Sequence, residues 1–342
     1  MTILKQTRIE WIDYAKCIAI FFVVLIHTHC DYLLTITLKS FTMPVFFFIS
    51  GFLFSRKRNR SYRDFVYKRF RQLVVPYLWI NVLAYLIWLT VLRHYGNAND
   101  AALEWHEPLL AVVLGLPTGL VHDIPLWSLL CFFVVEIAYY PLRGNVIKND
   151  AVIALIFLVL SACVSILSPD EGMILPVSLA PAASAMVFYS LGHLVHKYEN
   201  RLKNVFQPNI LMLLLSVLMI IVGVTFNAPV NFFMGQIGHP IFFMVGAAGG
   251  ILFIIQVSAY FSRLLGDPSC VSSISRGTLL ICGFHLLAFA VIKGVMLFVF
   301  GIEPSALTEG VWRGILMALT ALILCLPCIW LIERYARFLV SK

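Results

Sequence analysis

Asp13, Lys16 and His27 share one otherwise apolar stretch, Asp13-Tyr-Ala-Lys-Cys-Ile-Ala-Ile-Phe-Phe-Val-Val-Leu-Ile-His27. Titratable groups inside a membrane helix are costly, so they face the protein interior and mark proton or substrate pathways. Lys16 and His27 are eleven residues apart. That is about 16 Å of helical rise and about 1100° of rotation, which returns them to within roughly 20° of one another. They therefore share one face, near opposite ends of a membrane-length helix. Asp13, three residues before Lys16, is placed for an i,i+3 ion pair. The plainer reading has Lys16 snorkelling to the surface and His27 in an interhelical hydrogen bond; the other puts both to chemical use.

Further along, eight basic residues fall between Arg56 and Arg71 against one acid, Asp64. Within Tyr67-Lys-Arg-Phe-Arg-Gln-Leu-Val-Val-Pro-Tyr77, the residues Lys68, Arg69 and Arg71 sit where a basic loop re-enters the membrane. Such a cluster suits anionic lipid headgroups, and equally a phosphorylated ligand arriving from the cytoplasm. Ser50-Gly51 allows tight helix packing or an opened backbone lining a ligand channel. Glu136 lies at a depth similar to that of Lys16, and a buried pair between them is expected, since each alone would be costly. Trp127, at the level of His27, is either an interfacial belt residue or one wall of an acceptor site. His285 is a second intramembrane histidine, and such residues are more often hydrogen-bond partners than catalysts. The histidines show no HxxxH or HExxH spacing, so no metal site is expected. Cys325-Leu-Pro-Cys328 is a CxxC in the last apolar stretch, where cysteines acting as small hydrophobes account for it better than redox chemistry.

These residues must be positioned by membrane helices. Of 342 residues 61% are hydrophobic and 12% charged, and the mean hydropathy is +0.92; soluble domains carry about 25% charge. Apolar runs recur from end to end, so the expected fold is an all-α polytopic membrane protein with one domain over residues 1–342. Ten spans are expected near 12–30, 33–54, 73–95, 120–142, 151–168, 177–195, 209–226, 240–260, 277–300 and 312–333. Residues 109–119 are too short to cross and read as an interfacial or re-entrant piece. With the N-terminus inside, the cytoplasmic segments hold twenty of the 25 basic residues, among them Lys5, Arg8, Lys57, Arg58, Arg60 and Lys342. The outer loops carry acids instead, including Asp100, Asp123, Asp170 and Glu171. This asymmetry predicts both termini in the cytoplasm. No internal repeat is evident, which argues against the duplicated halves of many transporters.

Taken together, several motifs make the chain similar to the acyltransferase family 3 (acyl_transf_3) membrane O-acyltransferases. They are Asp13-x-x-Lys16 followed by ten residues and His27, Met43-Pro-Val-Phe-Phe-Phe-Ile-Ser-Gly-Phe52, Lys68-Arg-Phe-Arg-Gln-Leu-Val-Val-Pro-Tyr77, Pro125-Leu-Trp127 and Ser275…His285. Within the family the chain most resembles the fucose 4-O-acetylase-like branch. The resemblance implies a bacterial inner-membrane enzyme. Such an enzyme moves an acetyl or other small acyl group from cytoplasmic acyl-CoA to a hydroxyl of a cell-envelope glycan or lipid-linked sugar. It also implies that the phosphates of acetyl-CoA meet Arg69 and Arg71 beside Lys68, with the thioester passing Ser50 toward His27. An imidazole, with an ordinary pKa of about 6.5, could act on the sugar hydroxyl as general base or carry the acyl group itself. Lys16, with Asp13 or Glu136, would order the channel floor, and Trp127 and His285 would face the acceptor. Many members have arginine where this chain has Lys16, which removes a bidentate fork. A proton-coupled transporter or glycan exporter using the same charges is the alternative.

Overall fold

The computed structural model describes residues 10–56, 61–93, 104–116, 124–167, 178–266, 268–307 and 309–340. Lys5, Arg8, Lys57, Arg58, Arg60, Lys342, Asp100, Asp123, Asp170, Glu171 and the 117–119 end of the expected re-entrant piece lie outside them.

The described residues form helices α1 (Glu10–Ile26), α2 (Tyr32–Phe52), α3 (Tyr62–Leu92), α4 (Glu107–Leu114) and α5 (Trp127–Val146). Then follow α6 (Asp150–Leu167), α7 (Leu179–Lys197), α8 (Ile210–Thr225), α9 (Pro240–Leu265), α10 (Ser269–Phe300) and α11 (Val311–Tyr335). Each of the ten expected windows holds one long helix. Seven of these, α2, α3, α5, α6, α9, α10 and α11, are long and apolar enough to cross a membrane by length and composition. α1 has 17 residues and carries Asp13 and Lys16, and α8 has 16. The protein is therefore an integral membrane protein, and its described residues form helices with no strand. α4 is two turns long and matches the segment read as too short to cross.

α3 begins eleven residues before the expected window. Ser61 caps it by accepting from the Asp64 N–H at 3.1 Å, and Phe65 is buried against the Tyr140 ring, 4.8 Å between centroids. Lys68 and Arg69 thus stand on a helix rather than in a loop. Residues Phe70–Val74 run as a π turn ahead of Pro76, whose missing N–H interrupts the regular ladder.

Consecutive long helices run antiparallel, as contacts at the two ends of the bundle show. One end joins Trp11 to Phe52 at 5.5 Å, Phe54 to Phe65 and His193, and the Tyr14 hydroxyl to the Gly266 carbonyl at 2.9 Å. At the other end, Gly314 of α11 packs on Thr28 and Cys30, and Ser178 donates to the Trp127 carbonyl. α2 and α7 cross with almost no gap: a Cβ on Gly51 would overlap the Tyr189 carbonyl, and one on Gly192 the Phe48 carbonyl. Tight packing is therefore what Gly51 supplies.

Candidate active site

α1 and α10 lie side by side and parallel, joined at two levels. Near their starts the Ser275 hydroxyl donates to the Asp13 carboxylate at 2.5 Å, and the Cys17 thiol faces the Val271 carbonyl at 3.1 Å. Near the far end of α1, His285 Nε2 stands 3.4 Å from His27 Nδ1, with ring centroids 5.0 Å apart. These contacts span some 258 residues of chain. Lys16, half-buried, stands one turn beyond Asp13 on α1.

The histidine geometry dictates a tautomer. His27 Nδ1 lies 2.7 Å from the Val23 carbonyl and His285 Nδ1 lies 2.9 Å from the Ile281 carbonyl. A carbonyl can only accept, so both Nδ1 atoms carry the proton and both Nε2 atoms keep a lone pair. His285, with no exposed surface, directs its Nε2 lone pair at the His27 N–H. His27 is half-buried, and its Nε2 makes no hydrogen bond with any described residue. The arrangement is that of an imidazole oriented by a second acceptor, able to accept a proton or to attack a carbonyl.

Trp127 and Ser128 join this level through α10. Cys282, one turn before His285, sits 3.8 Å from the Ser128 hydroxyl and 3.7 Å from the Pro125 carbonyl. Trp127 is 6% exposed and packs on Phe232 and Phe233 at 6.3 and 5.7 Å, so it is an interior wall and not a belt residue. The loop carrying those phenylalanines is tied down locally. Asn227 clamps it by donating to the Ile237 carbonyl and accepting from the His239 N–H, and Gly235 supplies a left-handed turn at φ 74°.

The basic and acidic candidates meet elsewhere. Arg69 Nε lies 2.6 Å from Glu136 Oε2, close enough for an ion pair although the N–H is not aimed at that oxygen. Ser50 donates to Glu136 Oε1 at 2.8 Å, and Arg69 also donates to Gln72 at 3.0 Å. The expected Lys16–Glu136 pair is thus replaced by Arg69–Glu136. α5 packs beside α3 and α7, whereas α1 is surrounded by α2, α9, α10 and α11. Lys68 and Arg71 remain exposed at the start of α3, with Arg71 over the Tyr67 ring at 6.0 Å. Asp13 and Glu136 therefore belong to separate polar groups, each with its own hydroxyl donor.

Two parts of this inner group had no sequence signal. The buried Tyr189 hydroxyl stands among Ser50, Glu136 and Arg69 without an aligned hydrogen bond. Asp150, at the start of α6, accepts from Tyr139 and Arg143, each at 2.6 Å, and contacts His193 at 3.2 Å. Nothing in the spacing of these residues links helices α5, α6 and α7.

Comparison with known proteins adds one match. The family model described as Acyl_transf_3, an acyltransferase domain, matches residues 9–334. No curated protein and no solved structure matches the chain.

Proposed function

The chain belongs to the acyltransferase family 3, a family of membrane acyltransferases, and from that premise we propose that it transfers an acetyl group from acetyl-CoA to a hydroxyl of a cell-envelope glycan. The donor comes from the cytoplasmic side and the membrane is the bacterial inner membrane, in keeping with the basic face that holds Lys68 and Arg71. The observation that carries the reading is the His27 tautomer: Nδ1 is committed to Val23, so Nε2 is the free base.

In this mechanism Nε2 takes the proton of the acceptor hydroxyl as its oxygen attacks the thioester carbonyl. The C–S bond breaks, and the departing thiolate of CoA receives the proton from the imidazolium. His285 holds the His27 ring and accepts from its Nδ1–H while the ring is charged. Lys68 and Arg71, on the first turns of α3, contact the donor phosphates. Arg69 orders the inner floor through Glu136 and Ser50, beneath the approaching thioester. Trp127, between Phe232 and Phe233, stacks on the sugar ring of the acceptor.

His27→Ala, expressed to the normal level in membranes, should lower acetyl transfer from radiolabelled acetyl-CoA to envelope glycan by about 10²–10⁴-fold, the usual worth of a general base. Transfer at the original rate removes His27 from the chemistry. Lys68→Gln with Arg71→Gln should raise KM for acetyl-CoA about tenfold and leave kcat in place, since the phosphates are remote from the reacting bond. An unchanged KM returns this helix to a contact with lipid headgroups.

A further inference from the structure

The end of the bundle that carries the start of α1 holds a cleft with no part in the proposed chemistry. It is an open cleft of about 440 Å³ lined by Trp11, Phe206, Gln207, Ala259, Ser262 and Arg263. That volume lies within the range of small-molecule sites, about 300–1,000 Å³.

The cleft is built and not a gap between loose segments. One wall, the 3-10 turn Lys203–Phe206 and the residues after it, is anchored to α9 by Gln256, which is 2% exposed. The Gln256 amide donates to the Val205 carbonyl at 2.6 Å and accepts from the Asn209 N–H at 2.8 Å. The facing wall is Trp11, whose ring meets Phe206 at 5.2 Å and Phe52 at 5.5 Å. Trp11 and Phe206 thereby form a fixed aromatic side of the cleft.

Among the described residues that line the cleft, the charged one is Arg263. Arg263, exposed in the last turn of α9, makes no ion pair with any described residue. Lys203, on the same turn as Phe206, is a second exposed cation. Beside Arg263 on α9, Tyr260 and Leu264 are 58% and 63% exposed and stand four residues apart, so they form one exposed apolar stripe next to the cleft. A guanidinium at a membrane edge, an aromatic recess behind it and an apolar track beside it together match an anionic amphiphile.

We propose that this cleft binds an anionic phospholipid, its phosphate on Arg263, its glycerol against Gln207 and Trp11, and an acyl chain along Tyr260 and Leu264. The site is independent of the acyl-transfer reading and requires only that the chain be embedded in a bilayer.

The test is native mass spectrometry of the purified full chain in detergent, titrated with dioleoylphosphatidylglycerol or dioleoylphosphatidylcholine. Phosphatidylglycerol should bind the wild type more tightly. Arg263→Gln should weaken that lipid about fivefold, the worth of one basic side chain against an anionic headgroup, and leave phosphatidylcholine unaffected. Ala259→Phe, which adds bulk to the cleft lining without removing a charge, should weaken both lipids. Lys148→Gln, another exposed cation between α5 and α6, should change neither. An unaltered affinity in Arg263→Gln, or an equal loss in Lys148→Gln, overturns the proposal. So does retention of coenzyme A in place of lipid, lost on Arg263→Gln, which would make the cleft a seat for nucleotide phosphates.

Discussion

Replacing His285 with phenylalanine tests the contact between the two histidines. A planar ring is kept, and the Nε2 acceptor 3.4 Å from His27 Nδ1 is removed together with the Nδ1 donor to the Ile281 carbonyl. In the resting enzyme that contact is a long, secondary branch beside the 2.7 Å bond to Val23, so its loss there is small. Once His27 holds the acceptor proton, the same lone pair faces an imidazolium. Hydrogen bonds to charged groups are worth about 1.5–3 kcal/mol against about 0.5–1.5 for neutral ones. The difference, about 1–2 kcal/mol at most, appears only in the transition state. It corresponds to a loss of roughly 5–30-fold in kcat with KM for acetyl-CoA unchanged. The assay is transfer of radiolabel from acetyl-CoA to envelope glycan in membrane vesicles, with protein level and thermal midpoint recorded for each variant. His285→Gln, which restores an acceptor, should recover part of the rate. In a His27→Ala background His285→Phe should cost nothing further, because the two residues act as a unit. Full activity in His285→Phe, or a loss that persists without His27, refutes the assignment of His285 as the positioning residue.

Arg69→Gln should lower stability by about 2–3 kcal/mol, because it leaves Glu136 buried without its counter-charge. Arg69→Gln with Glu136→Gln should recover most of that loss; an additive double variant, read by the thermal midpoint in detergent, contradicts the pairing. Gly192→Ala should destabilise by about 1–3 kcal/mol by forcing α7 off the Phe48 carbonyl. Gly294→Ala, in the same assay, should instead stabilise by about 0.5–1 kcal/mol, since nothing lies within 4 Å of the added methyl group. Equal midpoints for the two glycine variants would show that the α2–α7 crossing is not as close as described.

Much of the architecture is local and so was legible residue by residue. Apolar windows located the ten long helices among the described residues, seven of them long and apolar enough to cross a membrane, because such a run has few alternatives to a helix. The spacing of Asp13 and Lys16 put both on α1, with His27 in the turn directly after its last residue, since helical periodicity depends only on neighbours in the chain. Even Ser275 and His285 could be placed on one helix in this way. The extent of α3 was misjudged because Lys68, Arg69 and Arg71 read as a loop, while the Ser61 cap and the burial of Phe65 extend the helix through them.

Which helix faces which was not written in the hydropathy. Lipid tails are as apolar as a protein core, so an apolar helix does not declare its inward side or its neighbours. Glu136 could have met Lys16 by depth alone; packing of α5 against α3 gave it Arg69 instead. His27 and His285 are far apart in the chain and meet only because α1 and α10 run parallel in contact. The amino-acid sequence by itself determined a bundle of membrane helices and the side chains capable of chemistry. The tertiary structure alone decided that a second histidine stands behind His27, because that depends on distances between helices that no local pattern encodes.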